Sequence, residues 1–245
     1  MRVRLANPGD PTSGGTSRPG VDLVRRMDGA HVHALTTPLI TKADGTKFGK
    51  TESGTVWLDP ELTSPYAFFQ FWLNADDRDV PVLLRTFSFR AQDEVDALIA
   101  ATAERPHERA AQRALAEELT QLAHGAKEMR GAAAAGQVLF GQGELADVPL
   151  DSLSAALLET PHVRLEASDI EDGSLPAVDE LMVRCGLVES KGAARRAVKE
   201  GGAYVNNVRV VDPSQRPTTV DLVQGRWLVL RRGKRTVGGV LVELT

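Results

Sequence analysis

Residues 190–210 read SKGAARRAVKEGGAYVNNVRV. On a helix of about 100° per residue with Lys191 at the origin, Arg195, Lys199 and Arg196 fall at about 40°, 80° and 140°, and Ala193, Ala197, Ala194 and Val198 between about 200° and 340°. One face is therefore basic and the other small and apolar. Ser190 suits the N-cap, and Gly201-Gly202 suits the end of the helix. Residues 203–211 read as a strand broken at Asn206-Asn207, a pair that tolerates left-handed backbone. Strands are expected at 227–232 and 237–244, separated by Gly233, and the cluster Arg231-Arg232-Gly233-Lys234-Arg235 lies between them. With a short helix at 178–184, these elements make residues 176–245 a small α+β module.

Outward from that module the composition changes. The chain has 245 residues and a formal charge of −4. Residues 176–245 carry 12 basic and seven acidic residues, and residues 1–175 carry 17 and 26. A basic module on an acidic body points to a polyanionic partner. Hydrophobic residues at 42% and charged residues at 25% exclude a disordered or collagen-like chain. No apolar run approaches the roughly 18 residues of a membrane span, and no apolar export segment opens the chain. Cys185 is the single cysteine, so no intrachain disulfide forms and a reducing, cytoplasmic setting is expected. It is expected to be a small core residue. The five histidines are scattered, and no protein-bound metal site is expected.

Residues 1–20, rich in Pro and Gly, read as loop or disorder, with order beginning at Val21. A short helix over Val21–Met27 precedes a strand-like stretch, residues 31–40, and a turn at Asp44-Gly45. That turn opens a polar loop, Lys47-Phe48-Gly49-Lys50-Thr51. Helices are expected from Ser64-Pro65 through Leu73, over 79–87, over 91–103 and over 108–129. The last carries a stripe of Ala111, Leu115, Leu119 and Leu122. Trp57, Trp72 and Trp227 are expected to pack. The acidic, Gly- and Pro-bearing residues 166–175 read as a linker.

Two motifs together carry a resemblance. The terminal module resembles the S-four-like RNA-binding domain in Ser190, Ala194-Arg195-Arg196, Gly201-Gly202, Val205-Asn206 and the strand after them. The stretch LTTPLITKADGTKFGKT, then VWLD, then TSPYAFFQFWLN, resembles bacterial tyrosine–tRNA ligases, which are class I aminoacyl-tRNA synthetases, and covers roughly residues 20–245 with the module. The resemblance implies a mixed α/β and α fold. Residues 21–60 would be the tail of a Rossmann-like catalytic domain, residues 61–165 a mainly helical anticodon-binding-type domain, and residues 176–245 the RNA-binding domain. It also implies that Lys47, Phe48, Gly49, Lys50 and Thr51 form a KMSKS-type ATP loop, with Lys47 and Lys50 catalytic. Thr51 stands where the family often has Ser. The lysines would meet charge that develops on pyrophosphate as tyrosine attacks the α-phosphate. Lys191, Arg195, Arg196, Lys199, Arg209, Arg231, Arg232, Lys234 and Arg235 would contact RNA. Implied partners are ATP with its accompanying Mg2+, the tyrosine tRNA and, for an intact enzyme, tyrosine. Family members are homodimers, and the oligomeric state of this chain stays open.

An H-x-G-H motif and a G-G-S-D-Q-W motif, both signatures of that family, are absent from the sequence. The chain alone is therefore expected to be inactive, and a non-enzymatic RNA-binding protein is the alternative reading. A gene remnant is a third. Residues 9–19 match one back-translation of Gly-Gly-Ser-Asp-Gln-Trp-Gly-Asn-Ile-Thr-Ser read one base out of frame, which makes residues 1–19 an expected off-frame segment. The DNA upstream of the Val21 codon should encode G-G-S-D-Q-W in another frame, and its absence from all three frames defeats this reading.

Overall fold

The computed structural model describes residues 17–31, 33, 40–46, 50–51 and 54–243. The chain falls into two units, Met1–Thr55 and Val56–Thr245. In the first, α1 (Ser17–Asp28) starts four residues before Val21, so order begins earlier than expected. Pro19 falls in the first turn, where its missing N–H removes no helical bond. The Asp44-Gly45 turn forms as expected: Gly45 N–H donates to the Lys42 carbonyl at 2.8 Å, and Asp44 Oδ1 accepts from Thr46 N at 2.8 Å. Strand β1 (Lys50–Thr51) pairs antiparallel with β2 (Gly54–Thr55). Residues 1–16 and most of the strand expected at 31–40 lie outside the described residues.

The second unit begins with six helices: α2 (Pro65–Leu73), α3 (Val80–Phe87), α4 (Gln92–Glu104), α5 (Ala110–His124), α6 (Ala126–Leu139) and α7 (Leu150–Leu158). Ser64 caps α2 by accepting from Ala67 N at 3.1 Å, with Pro65 at the first helical position. Its Tyr66, Phe68, Phe69 and Trp72 are buried, and Trp72 meets Phe68, Phe71 and Phe87 edge-on. The Arg109 guanidinium closes the other end of α2, donating to the Leu73 and Ala75 carbonyls at 2.8 and 3.0 Å. A cation there satisfies orphan carbonyls and suits the negative helix end.

The helix expected over 108–129 is two helices. It breaks at Gly125, whose φ of +88° cannot continue an α-helix, and α6 then buries Ala132, Ala135, Val138 and Leu139. Ala111, Leu115 and Leu119 are buried as the stripe predicts, but Leu122, in the turn before the break, is 66% exposed. Periodicity identifies a face but not where its covering partner ends. Trp72 and Trp227 pack as expected, whereas Trp57 is half exposed.

The remaining elements are β3 (His162–Leu165), α8 (Val178–Arg184), α9 (Lys191–Lys199), β4 (Ala203–Val205), β5 (Val208–Arg209), β6 (Trp227–Arg232) and β7 (Thr236–Val242). The sheet runs β3-β7-β6-β4-β5, antiparallel except for β3 on β7. Asn206 and Asn207 have φ of +46° and +66° and make the two-residue turn between β4 and β5. Residues 166–175 differ from the expected linker. Leu175 is fully buried and its N–H donates to the Pro217 carbonyl at 2.8 Å, while Ser174 bridges to Thr218. These bonds fold the stretch into the module as the connection between β3 and α8.

Both faces of the central hairpin are buried. Leu228, Leu230, Val240 and Val242 join the core under α8 and α9. On the alternate positions, Trp227, Val229, Val237 and Leu241 are at most 5% exposed. Trp227 Nε1 donates to Ser154 Oγ on α7 at 2.8 Å. The helices and the C-terminal strands thus share one sheet as a common wall. Asn207 Nδ2 bonds the Val138 carbonyl and Gln224 Nε2 the Val148 carbonyl, each at 2.7 Å. Cys185 is buried, its thiol donates to the Pro161 carbonyl at 3.1 Å, and burial pushes its pKa up to about 11.

Gly239 lies where the helices press on this wall: a Cβ there would stand 2.8 Å from the Trp227 ring and 3.2 Å from Leu157 Cβ. Gly239→Ala should therefore destabilise the protein by about 1–3 kcal/mol through overpacking. In urea, tryptophan fluorescence and far-UV circular dichroism should shift together, because the helices and the sheet unfold as one body. Two separated transitions would contradict the shared wall.

Candidate functional site

The basic helix α9 forms as its pattern demands. Ser190 Oγ accepts from Ala193 N at 3.2 Å. Ala194, Ala197 and Val198 are buried in the module core, and Lys191, Arg195, Arg196 and Lys199 are exposed. The helix ends with Gly201 N–H on the Val198 carbonyl and Gly202 N–H on the Ala197 carbonyl, at 2.9 and 2.8 Å. This paired closure needs a left-handed residue, and Gly201 has φ of +74°.

The nine basic residues expected at the RNA face divide by their partners. Arg195 Nε lies 2.9 Å from Asp179 Oδ2, whose residue is 3% exposed. Lys191 Nζ lies 2.9 Å from Glu180 Oε2, and Arg184 reaches Glu180 and Asp169 at 2.6 and 2.8 Å. Hydrogen bonds from Lys191, and then from Arg184, hold the Glu180 carboxyl below the usual carboxylate range. The Arg184 bond does the same to Asp169. On β6, the Arg231 guanidinium sits 4.2 Å from the centroid of the Tyr204 ring and donates to the Phe140 carbonyl at 3.4 Å. Arg232 donates to the Leu187 carbonyl at 3.3 Å. Arg196, Lys199, Arg209, Lys234 and Arg235 are exposed, with no side-chain hydrogen bond or ion pair among the described residues.

Sequence reasoning missed the acidic partners. Asp179 and Glu180 stand in the first turn of α8 and hold two cations of α9. An acidic pair opening the helix before a basic one was the available signal. Of the loop expected to meet ATP, Lys47, Phe48 and Gly49 lie outside the described residues, and the backbones of Lys50 and Thr51 form β1, opposite Thr55 and Gly54. Among the described residues no group of three or more His, Cys, Asp or Glu is placed to hold a metal ion, and no helix is long and apolar enough to cross a membrane.

A basic face assembled from one helix and two strands fits a nucleic-acid backbone. A family model described as class I tRNA synthetases (W and Y) matches residues 17–141, just over half of the chain. The chain belongs to this class I synthetase family. A second model, the tyrosine–tRNA ligase SYY-like C-terminal domain, matches residues 157–237 and so takes in β3 and all nine residues of the basic face. The tyrosine–tRNA ligase of Thermobifida fusca is 60% identical over 228 residues, which is 91% of this chain and 52% of that protein. That of Streptomyces avermitilis is 58% identical over 224 residues, 91% of this chain and 51% of that protein. A solved mitochondrial tyrosyl-tRNA synthetase from Aspergillus nidulans is 30% identical, covering 34% of this chain and 24% of that one with a TM-score of 0.32. The chain spans about half the length of the bacterial relatives it matches.

The pairing of the chain's cations predicts unequal costs. Arg195→Ala strands the buried Asp179 carboxylate and should destabilise by about 1–3 kcal/mol. Arg196→Ala removes an exposed, unpaired cation and should stay within about 0.5 kcal/mol. Urea midpoints of the two variants measure the difference, and equal midpoints would contradict a structural role for the Arg195–Asp179 pair.

Proposed function

We propose that the chain is the ATP-loop and tRNA-binding half of a tyrosine–tRNA ligase, which activates tyrosine with ATP and transfers it to tRNA. The observation that carries this reading is the match at 60% identity, which extends over 91% of the chain. Residues 21–60 are the tail of a Rossmann-like catalytic domain, residues 61–165 an anticodon-binding-type helical domain, and residues 176–245 an S-four-like RNA-binding domain. In the activation step the tyrosine carboxylate attacks the α-phosphate and pyrophosphate departs. Lys47 and Lys50 meet the negative charge that grows on the leaving group, and this selects the transition state over bound ATP. Mg2+ arrives with ATP as part of the nucleotide substrate. In the transfer step the basic face holds the tRNA through its phosphates, which position the RNA without reading its sequence.

ATP–pyrophosphate exchange tests the division of labour. The 245-residue chain by itself should show none, since its sequence lacks the H-x-G-H and G-G-S-D-Q-W motifs. It should bind bulk tRNA with log K falling linearly against log salt. Five phosphate contacts correspond to a slope of roughly 3.5–4.5. ATP should alter its thermal stability, and Lys50→Ala should abolish that response. Salt-dependent tRNA binding without any ATP response would instead support a non-enzymatic RNA-binding protein.

A further inference from the structure

The five unpaired cations are gathered rather than scattered. Arg196 and Lys199 occupy the last turn of α9, Arg209 lies on β5, and Lys234 and Arg235 lie in the β6–β7 turn. Two backbone features bring these elements to one junction. Gly233 N–H donates to the Gly202 carbonyl at 2.7 Å, which ties the β6–β7 turn to the end of α9. The Arg209 guanidinium lies directly over Gly201: a Cβ built on Gly201 would overlap its carbon and two of its nitrogens. Gly201 therefore does two things. Its φ of +74° ends the helix, and its missing side chain leaves the space that the guanidinium fills. At Gly233 a Cβ would meet nothing within 4 Å, so this side of the junction is open. The carboxylate in the same turn is Glu200, the C-cap of α9.

We propose that the Gly201–Gly202–Gly233 junction is the seat of an RNA backbone phosphate, with Arg209 as its central donor and Gly201 as the residue that positions it. This rests on the RNA-binding reading above and deepens it. A guanidinium offers a planar fork of N–H donors that matches phosphate oxygens, and an unpaired one held against backbone has already lost part of its freedom before the ligand arrives. Glycine on both sides removes the side chains that would keep a polymer backbone away. Arg196, Lys199, Lys234 and Arg235 lie on the elements that meet at the seat and supply charge for neighbouring phosphates. Lys191, Arg195, Arg231 and Arg232, by contrast, spend donors on the protein itself.

The test uses the 245-residue chain and fluorescently labelled bulk bacterial tRNA, with anisotropy measured over a range of KCl concentrations. Arg209→Ala should flatten the slope of log K against log salt by about 0.7–0.9, one phosphate contact. Gly201→Ala alters no charge, yet should flatten it by the same amount, because the new methyl displaces the guanidinium. The double variant should lose no more than Arg209→Ala alone, as expected of residues acting through one contact. Far-UV circular dichroism checks folding, and if Gly201→Ala fails to fold, exposed Arg209→Ala decides the matter. A wild-type slope in Arg209→Ala with tRNA binding retained overturns the proposal, and additive losses in the double variant overturn the role of Gly201. A wild-type chain that binds no tRNA at low salt instead overturns the RNA-binding reading itself.

Discussion

Trp227 stands at the point where two sets of elements become one body. Its ring presses on Gly239 across the β6–β7 hairpin and its indole N–H reaches Ser154 on α7. A slip of one residue would carry Trp227 to the opposite face, away from Gly239 and Ser154. The hairpin therefore sets the register of the sheet and the seat of the helices together. Burial of a ring this large is worth several kcal/mol, and the hydrogen bond keeps the indole N–H from being stranded. The Asn207 and Gln224 bonds to helical-segment carbonyls add direction to a contact that is otherwise non-directional.

On the far side of the same sheet, α8 and α9 cover Leu228, Leu230, Val240 and Val242 and turn their polar faces outward. The acids of α8 neutralise part of the charge of α9. The Lys191–Glu180 pair is partly exposed and contributes modestly, whereas Arg195 partners a carboxylate that is buried. What remains unpaired is concentrated where α9 ends. An excess of positive charge on a small module self-repels, and it is tolerated here beside acidic partners that do not occupy every cation. On the proposed reading, that residual charge is the part available to phosphate.

Much of the basic helix was legible in residues 190–210 alone. Ser190 had to cap, Ala194, Ala197 and Val198 had to face inward, Gly201 had to end the helix, and Asn206-Asn207 had to turn the chain. Each follows from local chemistry: a hydroxyl for orphan N–H groups, a 3.6-residue period, and the freedom of Gly and Asn at positive φ. The break within 108–129 is not legible in the sequence, because helical propensity continues on both sides of Gly125 and only its left-handed backbone divides the two helices. The place of residues 166–175 in the module is not legible either, because acidic and glycine-bearing composition describes solvation, not the bonds that Ser174 and Leu175 make to residues more than 40 positions away.

The sequence by itself determined the basic helix with its caps and the strands after it, that residues 176–245 are basic and that the chain resembles a tyrosine–tRNA ligase, because periodicity, capping, charge and motif spacing are local properties of the chain. Only the tertiary structure decided which cations are free. Arg231 and Arg235 lie four residues apart in one cluster, yet one packs on Tyr204 and the other is exposed and unpaired. The difference arises because Arg231 lies on β6, within reach of the distant Tyr204 and Phe140, whereas Arg235 lies in the β6–β7 turn. Likewise, Arg209 comes to rest on Gly201 only when β5 folds back beside the end of α9, a contact between residues that no spacing rule pairs.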